Sequence, residues 1–412
     1  MALMLSYRDA LQLVLDRALP AEPVLLPPLQ ALGLVAARDI LALDPVPPFS
    51  NSAMDGFGLR AADAAGASVA APVRLRVMGA IPAGRAECPP LEAQAAFRIM
   101  TGAPVPSGVD TVVPIEDVTR GEDWVQLTRP PRLGANIRLA GEDIAGGGLV
   151  VRAGTELRPA EIGVLATIGC VAIPVRPRPR VAVLTTGNEL VDAGDRPGPG
   201  RIRDANIHSL CAQVAAAGAI PLPFARVEDR RETVRAALAE ALAAADVVLT
   251  NGGISVGDFD YLKEVLEELG AERVFWRVAQ KPGAPLGLWL LEGKLVFGIP
   301  GNPVAAMLMF EEYVRPALRK LMGYPRLHRP ERKGTLAAPW RKSGADGRLH
   351  FLRVLAKAEG AGFRAELTGP QGSGVLSSMM RANALVLVPE DTLAIAEGGE
   401  VLLHFLDEAE DH

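Results

Sequence analysis

"VAVLTTGNEL" at residues 181–190 decides how this chain is read. Four apolar residues, 181–184, run into Thr185, Thr186 and Gly187, and Asn188 and Glu189 follow at once. A short apolar run that stops at a Gly-bearing turn is the pattern of a buried strand handing its chain to a loop at a sheet edge. The pattern recurs in "DVVLTNGG" (246–253) and "KLVFGIPGNP" (294–303). Helical stretches fall between them at 205–217, 230–245 and 259–269, and a further one follows at 304–321. Alternating short strands and helices predict a doubly wound parallel α/β sheet over 177–325.

Outward from this sheet the character of the chain changes. "PVRPRPR" (174–180) is extended and basic, a connector between folded units. Residues 42–141 hold β-prone pieces, "VRLRVMGAI", "TVVPIEDV" and "WVQLTR", divided by Pro and Gly, and predict a β-rich domain. The segments flanking it, 23–41 and 142–176, are alike in polarity and are expected to meet as a connecting module. In the first 22 residues, Ser6 is placed to cap a helix with Asp9 three residues on. Tyr7, Leu11, Val14, Leu15 and Ala18 share one face of that helix. From 326 to 412 short strands such as "FLRVLAKAEG", "FRAELTG" and "NALVLVPED" predict a terminal barrel or sandwich. The fold class is therefore α/β plus β, in several domains.

The bulk numbers agree. At 412 residues the chain exceeds one compact core, and two to four domains are expected. With 49% apolar and 22% charged residues it has ordinary globular composition. A net charge of −5 argues against a nucleic-acid binder. No eighteen-residue uncharged apolar window exists to span a membrane. No secretion signal is visible, which favours the cytoplasm. Three isolated cysteines, Cys88, Cys170 and Cys211, argue for reduced thiols.

Ligands of open parallel sheets bind beyond the carboxyl ends of the strands. "TTGNEL" offers Thr185, Thr186 and Asn188 as donors, Gly187 for close backbone approach, and the carboxylate of Glu189. "TNGGISVGDFD" brings Gly252, Gly253, Ser255, Gly257, Asp258 and Asp260. "IPGNPV" places Asn302 as N-cap before Pro303, which predicts open helix amides suited to phosphate. Taken singly, each loop also reads as a plain turn; three at successive strand ends favour a phosphate or nucleotide site. Carboxylates and anion-binding backbone in one cleft conflict unless a hard divalent cation such as Mg²⁺ bridges them. "RVAQKPGAP" adds the cations Arg277 and Lys281. "NSAMDG" (51–56) and "GEDI" (141–144) set Asp55 and Asp143 beside glycines far from the sheet in the chain. Such acids act chemically only if they fold over, or dimerise onto, the ligand edge.

Together with "MTGAPVPSGVDTVVPIED" and "GGISVGDFDY", these motifs stand in an order that resembles the MoeA-type molybdopterin molybdenumtransferases, the family of the gephyrin E domain. The resemblance runs from about residue 5 to 405. It implies an elongated connector, a β-rich domain, a molybdopterin-binding α/β domain and a C-terminal β-barrel. It further implies a cytoplasmic homodimer whose clefts join the α/β domain of one subunit to the β-rich domain of the other. The implied reaction is Mg²⁺-dependent insertion of molybdate into adenylylated molybdopterin with release of AMP. Implied partners are a molybdopterin adenylyltransferase and molybdoenzyme maturation proteins.

Motif by motif, the resemblance makes Asp55, Asp143, Glu189, Asp229 and Asp260 catalytic acids, with Glu189, Asp258 and Asp260 as the metal set. Thr101, Arg138, Thr186, Gly187, Asn188, Gly252, Gly253, Ser255, Gly257, Pro300, Gly301 and Asn302 would bind the adenylylated pterin. Lys281, Arg353 and Ser378 would hold molybdate. Two positions depart from the family pattern: Ala284 stands where a lysine is frequent and Ala305 where a serine is. These departures leave a tungstate-preferring paralogue open. Adenylylation of molybdopterin itself, or a non-catalytic scaffold of the gephyrin type, would also be compatible with parts of the pattern.

Overall fold

The protein is described as a computed structural model covering residues 4–85, 87–253 and 261–406. The first helix, Tyr7–Arg17, starts at Ser6, whose hydroxyl accepts the Asp9 amide at 3.1 Å. That bond satisfies one amide left open by the helix start. Its Tyr7, Ala10, Leu11 and Val14 are buried in the largest core. Tyr7 meets the rings of Tyr313 and Phe351 edge-on, each at 5.6 Å between centroids.

That core lies on one face of a six-stranded sheet. Ile220–Pro223, Arg180–Thr185, Val247–Asn251 and Lys294–Ile299 run parallel in that order. The alternation pattern predicts these strands but misses an antiparallel extension of the same sheet by Gly287–Leu291 and Glu272–Trp276. The helix after the last parallel strand begins at Pro303 and widens into a π turn over Phe310–Val314 before continuing as Arg315–Leu321. Pro316 has no amide hydrogen for the carbonyl four residues back, which explains why the helix loosens just there.

Strand Val24–Leu26 pairs with Ile173–Val175, and Ile40–Leu41 with Leu149–Val151. These two distant segments share a small core of their own around Leu34, Leu157, Leu165 and Ile173. Between them lies a six-stranded sheet with apolar clusters centred on Phe57, Leu75 and Leu127 and on Ile81, Phe97 and Ile99. At the C-terminal end, Leu349–Glu359, Gly362–Leu367, Glu331–Leu336, Glu400–Phe405 and Ala384–Val388 close into a five-stranded barrel. The barrel also pairs with Gln280–Lys281 through Leu349 and His350. A strand emerging from the α/β unit is thereby stitched to the barrel wall.

Candidate functional site

Register sets the site. Thr185 lies opposite Asn251, and Asn251 opposite Ile299, so three loops leave the sheet at one level. The ladder extends one step beyond the strands through Thr186 N to Asn251 O (2.9 Å) and Gly252 N to Ile299 O (3.1 Å). Gly252 has φ +90°, and a Cβ there would lie 2.8 Å from the Thr186 carbonyl oxygen. Only glycine fits that crossing of two loops. A Cβ on Gly187 would meet the Glu189 carboxylate at 2.7 Å, so this acid folds back over its own turn.

Behind the loops, Asn206 Nδ2 donates to Asn251 Oδ1 and to the Gly301 carbonyl, both at 2.7 Å. Asn251 Nδ2 donates to the Pro300 carbonyl at 2.7 Å. Asp204 is buried and accepts the Thr185 hydroxyl and the Ile207 amide. None of Asn206, Asn251 and Asp204 is legible as a site residue in the sequence, since each stands alone in a strand end or helix start.

A cavity of about 450 Å³ opens over this floor. Thr186, Gly187 and Glu189 of the first loop, Gly252 and Gly253 of the second, Gly301 and Asn302 of the third, and Asp229, singled out by the resemblance alone, line it. Asn188 stands at its rim, where its amide donates to Asp229 Oδ2 at 3.2 Å and its Oδ1 accepts the Asp229 amide at 3.3 Å. Thr186 Oγ1 and Asn206 Oδ1 are buried without a hydrogen-bond partner among the described residues. Ser255, Gly257, Asp258 and Asp260 fall outside the described residues.

The open helix start needs correction. Asn302 does occupy the cap position, but its side chain makes no capping bond. Pro303 has no amide to offer, and the Val304 amide already donates to the Ser373 carbonyl of a barrel loop at 3.1 Å. The helix end is therefore partly closed by the barrel.

A second cavity, of about 580 Å³, adjoins the first at Asn302. Lys281, Ala284, Pro300 and Ala305 line its α/β side, and Trp340, Arg341, Lys342, Ser343, Arg348, His350 and Gln371 its barrel side. The barrel residues are missed by sequence reading, because their charged stretch carries no Gly-ended apolar run to mark a site. No aspartate or glutamate lines this cavity among the described residues, whereas Glu189, Asp204 and Asp229 line the first. The two halves of the cleft thus differ in charge. Burial pulls His350 below its ordinary range against the opposing pull of Asp346, whose Oδ2 lies 3.0 Å from its Nε2.

Arg353 and Ser378 lie elsewhere than the resemblance implies. Neither lines the cavity, and both side chains are fully buried. Arg353 Nε donates to Ser378 Oγ at 2.8 Å, and its Nη2 to the Pro370 and Gly372 carbonyls at 3.2 Å. Burial draws its guanidinium down to about 10. These two residues brace the barrel loop whose Gln371, Gly372 and Ser373 reach the cavity wall. Arg277 also lies outside, over the Trp276 ring at 5.7 Å.

The remaining acids form a separate surface. Asp55 Oδ1 accepts the Thr101 amide at 2.7 Å and its hydroxyl at 2.8 Å. Those two bonds, aided by the charge of Arg98, hold the Asp55 carboxyl below its usual range. Arg138 pairs with Asn51 across a short antiparallel ladder. The Asp143 amide donates to the Val46 carbonyl at 3.1 Å. Backbone pairing thus gathers Asp55, Thr101, Arg138 and Asp143 around residues 46–55, and none of them lines either cavity of the same chain. Among the described residues no cluster of three or more His, Cys, Asp or Glu could hold a metal alone.

Comparison with known proteins covers nearly the whole chain. Residues 5–169 match the MoeA N-terminal region (domain I and II), 182–320 the probable molybdopterin binding domain, and 333–406 the MoeA C-terminal region (domain IV). Molybdopterin molybdenumtransferase 2 of Mycobacterium tuberculosis is 37% identical over 405 residues, 97% of this chain and 98% of its own. The Bacillus subtilis molybdopterin molybdenumtransferase is 36% identical over 369 residues, 89% of this chain and 85% of its own. A molybdopterin biosynthesis MoeA protein structure from Pyrococcus horikoshii superposes with a TM-score of 0.84 at 31% identity, covering 98% of this chain and 100% of that one. By this likeness along its full length, the chain belongs to the MoeA family of molybdopterin molybdenumtransferases, enzymes of molybdenum cofactor biosynthesis.

Proposed function

We propose that this enzyme inserts molybdate into adenylylated molybdopterin, cleaves the phosphoanhydride with the help of Mg²⁺ and releases AMP. The observation that carries this reading is the cleft itself: an acid-and-glycine cavity and a cation-lined cavity that meet at Asn302. The glycine turns at 187, 252 and 253 let backbone approach the phosphates closely. Lys281 offers charge to the tetrahedral oxyanion from the neighbouring cavity.

Mg²⁺ fits the donors present. Glu189 and Asp229 offer carboxylate oxygens to the cavity, and this ion binds through one or two carboxylates plus substrate phosphates rather than a full protein cage. Glu189 would hold it, with Asp229 beside it; the family resemblance adds Asp258 and Asp260, which lie outside the described residues. When bound, the ion would neutralise charge developing on the bridging phosphate oxygens.

In this reading Asp55, Asp143, Thr101 and Arg138 serve the cleft of a second copy in a homodimer. Their separation from both cavities of their own chain supports it, as does the exposure of Leu43, Phe49, Met54 and Leu139 around them. The corresponding domains would be 1–22 with the α/β unit, 23–41 with 142–176, 42–141, 177–325 and 326–412. No helix among the described residues is long and apolar enough to cross a membrane. We place the enzyme in the cytoplasm, exchanging ligand with a molybdopterin adenylyltransferase and with molybdoenzyme maturation proteins.

Ala284 and Ala305 both line the cation-bearing cavity. This observation favours a second reading in which tungstate replaces molybdate as cargo. The test is to incubate the protein with adenylylated molybdopterin, Mg²⁺ and either oxyanion, measuring AMP and active cofactor. Oxyanion-dependent AMP release is expected. Its absence with both oxyanions would refute the transferase reaction.

A further inference from the structure

We propose that Arg341, on the barrel, is the second cation of the oxyanion site, facing its ligand together with Lys281. The inference rests on the reading above that the 580 Å³ cavity receives a tetrahedral dianion. Five basic side chains line that cavity: Lys281, Arg341, Lys342, Arg348 and His350. Three are already committed. Lys342 is buried, and its ammonium donates to the carbonyls of Arg348 (2.9 Å), Pro389 (2.7 Å) and Glu390 (3.0 Å), which uses all three of its hydrogens. Arg348 holds Asp346 through Nε at 3.2 Å and Nη2 at 3.1 Å. His350 sits against the same Asp346.

Lys281 and Arg341 have no hydrogen-bonded or ion-paired side-chain partner among the described residues. They stand on the two walls of one cavity, Lys281 on its α/β side and Arg341 on its barrel side. Lys281 pairs with His350 across the short parallel ladder. The His350 ring meets Trp340 edge-on at 5.6 Å, which ties the strand that carries Arg341 to this ladder. The arginine is held in place on both sides. Trp340–Arg341 pairs with Ala394–Ile395, and the Lys342 amide donates to the Leu393 carbonyl at 2.9 Å. With Lys342 tied to three carbonyls, the Arg341 backbone is set before any ligand arrives, which lowers the ordering cost of binding. A planar guanidinium opposite an ammonium suits a ligand with several anionic oxygens.

Two ligands share this chemistry: the free oxyanion, and the phosphomonoester end of the pterin. Calorimetric binding of molybdate alone and of inorganic phosphate alone to the full-length protein separates them. The variants are Arg341→Gln, Arg341→Lys and Lys281→Ala, with Arg120→Gln as a control for loss of one positive charge elsewhere. Molybdate affinity should fall about 10- to 100-fold in Arg341→Gln, the range for loss of one charge-assisted contact. It should recover in part in Arg341→Lys and stay unchanged in Arg120→Gln. In turnover, Arg341→Gln should raise KM for molybdate more than it lowers kcat. A parallel loss for phosphate alone would assign the site to the phosphomonoester and keep the proposal. Arg341 would be overturned if Arg341→Gln bound both anions as the parent does while Lys281→Ala did not. That result would leave the transferase reading intact, whereas absent AMP release by the parent protein would remove the reading itself.

Discussion

Two polar clusters of this molecule use the same kinds of residue in opposite ways. Where the first helix, the π turn and the barrel meet, Glu312 accepts the Tyr7 hydroxyl at 2.6 Å and lies 3.3 Å from His404 Nδ1. His404 Nε2 is in turn 3.0 Å from Glu331. Arg315 lies near this knot, and so does His328, which burial shifts toward its neutral form. Its principal donors and acceptors are matched, as buried polar groups must be. Across the core, the cleft leaves Thr186 Oγ1 and Asn206 Oδ1 without partners, and the Asn302 side chain makes no capping bond. Matched polar groups hold units together, whereas polar groups at a cavity wall are open to what enters the cavity. The same chain builds a clamp at one place and a polar cleft at another.

The sharpest way to test this contrast is to remove one charge from each region. Glu189→Gln should lower AMP release about 100- to 1000-fold, as for loss of a group acting on the reacting centre. Its unfolding stability should stay within about 0.5 kcal/mol of the parent, as for other exposed positions. Glu312→Ala should do the reverse. It leaves His404 and Tyr7 buried without their partner and should cost roughly 3 kcal/mol, read from urea unfolding. AMP release by the folded protein should persist. Similar losses of stability from both variants would break the contrast.

A smaller effect separates the regions by pH. For His404, burial opposes the charge, but Glu312 and then Glu331 outweigh it and raise its pKa above the usual histidine value. Its contribution is therefore fully present below the ordinary histidine range and is lost as pH rises through the raised value. His350 is shifted downward, chiefly by burial. Its contribution is present above the ordinary range and is lost as pH falls through the depressed value. Stability profiles of His404→Gln and His350→Gln should therefore differ from the parent on opposite sides of neutrality, with NMR titration of the two rings as the direct check. Smallest of all, Cys211→Ser should leave thiol chemistry and stability nearly unchanged, because burial raises this thiol to about 11 and keeps it unreactive. Labelling rates with a thiol reagent test this.

What the sequence shows of this contrast is uneven, for physical reasons. The first helix is legible because Ser6 and Asp9 mark its start and one face is apolar. The three strand ends are legible because an apolar run followed by glycine is a local signal. The antiparallel pair Glu272–Trp276 and Gly287–Leu291 is hidden by the expectation of alternation. The hairpin of Gly287–Leu291 with Lys294–Ile299 has only Gly293 at its tip as a mark in the sequence; in the structure Glu292 and Gly293 take φ of +52° and +78°, the positive angles of a tight hairpin turn. The barrel side of the cleft has no local signature, since long-range links such as the pairing of Lys281 with His350 and the Val304 amide with the Ser373 carbonyl bring the barrel against the sheet. Arg353 misleads because its charge suggests a ligand, while in the fold its Nε and Nη2 are spent on Ser378 and the loop carbonyls and only Nη1 is left without a partner among the described residues.

The central claim is that the cleft is completed by the Asp55 surface of a second copy. Asp55→Asn and Glu189→Gln proteins, each inactive alone and each as thermostable as the parent, should be unfolded together, refolded as an equal mixture and assayed for AMP release. Random pairing makes half of the dimers mixed, each with one intact cleft of two, so the account predicts recovery of about a quarter of parental activity. No recovery, or full activity of Asp55→Asn by itself, would contradict it.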